Sequence, residues 1–217
     1  LYVSHAHGAP FRGLLDALEA YLDDEGYDAS TTFFWIDVFS LPPAPQSPSV
    51  ALPTVAACVG TIGTVVVVLD GAATALSRLW CLFEISRSLA EPNLCLHFTM
   101  ARAHRARFVE ALDADGGAAL LGGLDVARAA AHADRDRAAI LGALAASPDA
   151  ERATNARLRA RVESALIQFD WSKFDRRRKD DDFAKPEPVP PAAKGGGGFF
   201  PRMSGRASSR VDPGLAR

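Results

Sequence analysis

Apolar and polar positions change their period several times along this 217-residue chain. Leu1-Tyr2-Val3 is a short apolar stub that ends at Ser4-His5 and reads as a first strand. After Gly8-Ala9-Pro10, the residues Phe11, Leu14, Leu15, Leu18, Tyr21 and Leu22 recur at helical spacing. Asp23-Asp24-Glu25-Gly26 follows. Carboxylates oppose the negative end of a helix, so these residues are expected in a loop. The aromatic, β-branched stretch 31–38 (TTFFWIDV) predicts a second strand. Five prolines (Pro42, Pro43, Pro45, Pro48, Pro53) fall within 39–53. Proline lacks the N–H that helices and ladders use, so this stretch predicts a surface loop, with a helical turn over 54–63.

Residues 64–69 (TVVVVL) are almost continuously apolar, as a parallel strand covered on both faces should be. Ser77 is placed to cap a helix running to about Leu89. Residues 94–99 (LCLHFT) predict a fourth strand and 104–112 a helix. Gly116-Gly117 and Gly122-Gly123 mark turns. Two Ala/Arg/Leu-rich stretches, 125–144 and 151–169, predict helices of good propensity. Strands alternating with helices in this order define an α/β class with a doubly wound parallel sheet. The expected organisation is an α/β domain over 1–112, a helical extension over 113–172, and a disordered tail over 173–217. The tail holds RRRKDDD, a run of prolines and four consecutive glycines.

Charge sharpens that division. Residues 1–172 hold 13 basic and 20 acidic side chains, and residues 173–217 hold 11 and 6. An acidic body argues against nucleic acid as a partner. No apolar run approaches the ~20 residues of a membrane span. Cys58, Cys81 and Cys95 are few, odd in number and set among apolar residues. They are expected as buried thiols in a reducing, cytoplasmic compartment. The chain begins at Leu1, already within its first strand, so that strand is expected to be truncated.

In doubly wound sheets, ligands sit outside the carboxyl ends of the strands. That edge collects Ser4-His5, Asp37 to Ser40, Asp70-Gly71 and the segment Trp80-Cys81-Leu82-Phe83-Glu84. Trp80 and Glu84 are four apart, one helical turn, so they share a face. A flat ring beside a carboxylate suits a nucleotide-like ligand. A solvated helix glutamate is the ordinary alternative for Glu84, and packing against the sheet is the alternative for Trp80. Cys81 is expected to point away from the Trp80–Glu84 face. His5-x-His7 has the spacing of a metal pair, but the sequence places no third ligand and His97 falls inside a strand. No metal is therefore expected. Asp37 and Asp70 raise a phosphate-accepting receiver, yet Ser4-His5 stands where that fold needs an acidic pair. No glycine-rich nucleotide loop is present, because the glycine pairs lack GxGxxG spacing. The arginines of 125–169 alternate with acids and read as a solvated face.

The turn Tyr2-Val3-Ser4-His5, the strand end Trp35-Ile36-Asp37, the proline-bearing loop and the Ser-x-x-Trp-Cys-x-x-Glu pattern over 77–84 resemble the Toll/interleukin-1 receptor (TIR) domain. The chain is most similar to a divergent TIR-like group of protists and algae with a WCLxEI motif. Residues 1–110 carry the resemblance. It implies a flavodoxin-like fold. It also implies NAD+ as a substrate, cleaved between nicotinamide and ribose, with no cofactor. Glu84 would be the catalytic residue, and Trp80, Ser4, His5, Asp37 and Ser77 would line the substrate site. The family equally implies a non-catalytic alternative, a signalling module acting by homotypic assembly with itself or other TIR-like domains through the proline-rich loop and the WCxxE helix.

Overall fold

The computed structural model describes residues 1–42, 47–89, 93–115, 117–145 and 147–168. The sequence-predicted tail of 173–217 lies outside them. Four parallel strands form one sheet in the order β2-β1-β3-β4: β1 (Tyr2–His5), β2 (Trp35–Ile36), β3 (Thr64–Leu69) and β4 (Cys95–Met100). Tyr2 pairs with both Trp35 and Val65, and Thr64 with Cys95. This all-parallel 2-1-3-4 sheet flanked by helices is consistent with a flavodoxin-like fold. The strand order reverses direction between β1 and β3, the position where such sheets open a crevice.

Alternation along the strands divides the core in two. Val3 and Ile36 face Leu14 and Leu18 of α1 (Phe11–Glu25). Tyr2, Val65, Val67, Leu96 and Phe98 face the other side. There they meet α3 (Pro48–Ile62) and α4 (Leu79–Ser88), outside which lie α7 (Asp134–Leu144) and α8 (Pro148–Gln168). Leu124, Ile140, Leu158 and Val162, all beyond residue 112, are fully buried in that same cluster. The remaining helices are α2 (Asp37–Ser40), α5 (Arg102–Asp115) and α6 (Ala118–Gly122).

Several elements depart from the sequence pattern, each for a physical reason. Asp23, Asp24 and Glu25 belong to α1 rather than to a loop; α1 ends at Gly26, in the left-handed region. Arg102 and Arg105 stand against Asp23 and Asp24, both at 2.5 Å, and offset the unfavourable helix end. The second strand keeps only two of the eight expected residues, because α2 starts at Asp37. The expected proline loop yields the first half of α3. Pro48 occupies its first position, where no N–H is required, and Pro53 lies inside the helix. Thr54 Oγ1 donates to the carbonyl of Val50 at 2.8 Å.

Residues 125–133 are a turn-rich segment and not the start of a long helix. Asp125 Oδ1 accepts the amide of Ala127, and Asn155 Oδ1 accepts that of Val126. Ala130 exchanges backbone hydrogen bonds with Ser77 and Leu79. These tertiary partners override the helix propensity of an alanine-rich run. Of the glycines expected as turns, Gly116 lies outside the described residues, Gly117 precedes the short α6, Gly122 ends it and Gly123 follows. Cys81 is buried and Cys58 half-buried, but Cys95 is exposed, contrary to expectation. It opens β4 on the edge of the sheet, facing opposite to Leu96. Among the described residues, no helix is long and apolar enough to cross a membrane.

Candidate functional site

The carboxyl end of β1 and the first turns of α4 meet around Glu84. The residue is only 6 % exposed, so the alternative of a solvated helix glutamate does not hold. Tyr2 Oη donates to Glu84 Oε1 at 2.9 Å, and Ser4 Oγ donates to Oε2 at 2.5 Å. Tyr2 and Ser4 are two apart on one strand, so both point to the α4 face. Trp35 stacks on the Tyr2 ring at 4.7 Å between centroids and fixes its plane. Burial pushes the Glu84 carboxyl up to about 7, against the two hydroxyl donors, which favour the ionised form. Burial and the neighbouring Glu84 charge both push the Tyr2 phenol well above its ordinary range, so it stays a donor.

Glu84 borders a cavity of about 560 Å³ at the carboxyl edge of the sheet. That volume lies in the range of small-molecule sites. Trp80, Arg78, His5 and Asp37 line it too, with His132, Arg135 and Asp136 from the segment after residue 124. Trp80 is half-buried, with its ring edge-on to Phe83 and Nε1 3.4 Å from Asp136 Oδ2. Cys81 borders the same cavity, although the helical wheel pointed it elsewhere. Its thiol lies 3.4 Å from the carbonyl of His5, and burial raises it far above the range of a nucleophile. A second, more apolar cavity of about 730 Å³ lies on the other side of the His5–Gly8 turn, beside α1, and does not include Glu84.

Asp37 begins α2 just after β2, beside the end of β1. His7 Nε2 is 2.8 Å from Asp37 Oδ2, and His5 Nδ1 is 3.9 Å from Oδ1. Burial alone would raise the Asp37 carboxyl; the hydrogen bond and charge of His7, with smaller help from His5 and the Val38 amide, hold it below its usual value. Hydrogen bonding to Asp37 raises His7, whereas burial lowers His5. The donor atoms of His5, His7 and Asp37 all lie within 4.8 Å of one another, so Asp37 supplies the third group that the sequence did not place.

Of the sequence-predicted site residues, Glu84, Trp80, His5 and Asp37 share one cavity. Ser4 is fully buried and touches Glu84 rather than the cavity. Ser77 departs furthest. It ends a 3-10 turn (Thr74–Ser77), donates to the Thr74 carbonyl at 2.9 Å, and is exposed. It neither caps α4, which starts two residues later, nor lines the cavity. Sequence reasoning missed Tyr2, which the alternation from Ser4 could have found. It also missed Arg78 and the trio His132, Arg135 and Asp136, for which no local signal exists. Family models, curated proteins and solved structures provide no match to this chain.

Proposed function

We propose that this chain is a TIR-like domain that cleaves NAD+ between nicotinamide and ribose, with Glu84 as its catalytic residue. The observation that carries the reading is a buried carboxylate, held by two hydroxyls, at the wall of a ligand-sized cavity beside an indole. Nicotinamide leaves as a neutral molecule from a cationic ring, so its departure needs no strong acid. The C1′–N bond breaks and its electron pair goes to the ring nitrogen. The ribose becomes oxocarbenium-like and is captured by water, which releases a proton. Glu84, ionised, stabilises that positive charge. A pyridinium in the cavity lowers the carboxyl's proton affinity, as any adjacent cation does, and shifts Glu84 toward the reactive form. Trp80 offers a face for stacking or cation–π attraction worth about 0.5–2 kcal/mol. Arg78 and Arg135, which line the same cavity, suit the diphosphate.

Nicotinamide release by purified protein at high concentration, wild type beside Glu84→Gln, tests the reading. Release that disappears in a folded Glu84→Gln protein supports it. Release that persists in Glu84→Gln removes Glu84 from the chemistry, and no release from an assembled wild type ends the enzymatic reading.

One observation favours the second reading, a TIR-like module working by homotypic assembly. Phe33 is 81 % and Phe39 68 % exposed, beside the two-residue edge strand β2, and Phe11 meets Phe39 edge-on at 5.6 Å. Exposed apolar side chains gathered together, as Phe11 and Phe39 are, suit a contact surface. The α4 helix is unsuited to such contacts, since seven of its ten residues are buried. Concentration-dependent association lost in Phe33→Ser/Phe39→Ser, with no turnover by the wild type, is the expected result for that module.

A further inference from the structure

We infer that His5, His7 and Asp37 form a binding site for one divalent transition-metal ion of the zinc class, open on its remaining side to the Glu84 cavity. The three residues come from two neighbouring strand ends. His5 closes β1, His7 stands in the turn before Gly8, and Asp37 starts α2 after β2. Parallel pairing of β1 with β2 brings those ends together. Two imidazoles and one carboxylate are a donor set that suits zinc, cobalt or iron and disfavours calcium and magnesium, which take oxygen ligands.

The geometry is close to a bound arrangement without yet being one. Ligand atoms on a tetrahedral ion with bonds of about 2.0–2.1 Å are roughly 3.3 Å apart. The donors here are separated by up to 4.8 Å. His7 can close that difference by side-chain rotation, because it is 54 % exposed on a turn. Its present 2.8 Å contact with Asp37 already holds one imidazole against the carboxylate.

The surrounding charges also permit a cation. Asp37, Glu84 and Asp136 line the cavity with Arg78 and Arg135, and Asp136 pairs with Arg135 at 3.5 Å, so three carboxyls stand beside two arginines. Three protein ligands leave at least one position for water or an anionic oxygen. His5, His7 and Asp37 all line the Glu84 cavity, so a further ligand can reach the ion from it. The site stands independently of NAD+ cleavage, because the ion alone is the ligand.

The test is equilibrium dialysis of the full chain against Zn2+, with stoichiometry read by elemental analysis, and the visible absorption of the Co2+ form. The expected result is one ion per chain and a d–d band of a nitrogen/oxygen site. His7→Asn and Asp37→Asn should each weaken binding by about 100-fold or more, at least the 10–100-fold typical of losing a supporting partner. Both variants alter exposed or half-buried side chains, and thermal melting verifies that they fold. Cys95→Ser should bind as the wild type does. No stoichiometric ion, binding unchanged in His7→Asn, or a thiolate band lost in Cys95→Ser would each overturn the site.

Discussion

Ser4 Oγ lies 2.5 Å from Glu84 Oε2, a contact between residues eighty positions apart in the chain. It joins β1, at the centre of the sheet, to the helix that follows β3. A carboxylate in a nearly dry setting thereby acquires a fixed direction, with Tyr2 on its other oxygen. Preorganised charge of this kind is what stabilises a developing cation without solvent reorganisation.

A hydroxyl that donates to a carboxylate favours the ionised form, and Ser4 does so for Glu84. Ser4→Ala should therefore move the rising limb of kcat/KM for the proposed NAD+ cleavage, centred near the Glu84 value of about 7, to higher pH. It should also cost about 1–3 kcal/mol, the penalty for leaving a buried polar group short of a partner. A pH–rate profile with an unmoved limb would show that Ser4 does not tune Glu84.

Glu84→Gln should change stability in a pH-dependent way. The carboxyl holds its proton to about 7 in the folded chain, against an ordinary 4.5. Below pH 4.5 both states are protonated and the native state keeps its full advantage. Between 4.5 and 7 the unfolded state ionises first, so stability falls as pH rises, and the loss is complete above 7. Glutamine carries no charge and escapes that loss. The variant should gain about 3 kcal/mol on the wild type between pH 4 and pH 8, because each tenfold change in proton affinity is worth about 1.4 kcal/mol. Urea unfolding at the two pH values measures it; an equal difference at both would place the carboxylate in a wetter setting.

Arg105 and Asp24 form a pair in which both side chains are only 5 % exposed. Removing one partner leaves a buried charge. Arg105→Met alone should destabilise the fold by about 3–5 kcal/mol, and Asp24→Leu/Arg105→Met should recover most of it. A double-mutant cycle in denaturant is the measurement. Additive single effects would mean that the pair does not act as a unit.

Leu158 and Ile140 are fully buried against the same cluster as the sheet. Leu158→Ala should cost about 2–5 kcal/mol and lower one common transition. Separate melting of the helices after residue 124, with the sheet unaffected, would contradict a shared core.

The sequence by itself determined much of the sheet. A valine run bounded by glycine at one end and aspartate at the other is a covered strand, and β3 spans the expected 64–69. The Trp80–Glu84 spacing determined that both residues reach one side of a helix, because 3.6 residues complete a turn. Local physics of this kind is complete within a few residues. It failed where a distant group intervened. Arg102 and Arg105 let carboxylates close α1, and Asn155 and the backbone of Ser77 and Leu79 held 125–133 out of a helix.

Only the tertiary structure decided the character of the site. Whether Glu84 is solvated or buried, whether Ser4 meets ligand or carboxylate, and whether His5 and His7 find a third donor all depend on groups distant in the chain. Chain closure sets those distances, and the electrostatic work of burying a charge depends on all that surrounds it. The sequence specified the side chains that carry the chemistry. Pairing of strand ends, and the helices laid over them, made a buried and oriented carboxylate out of one of them.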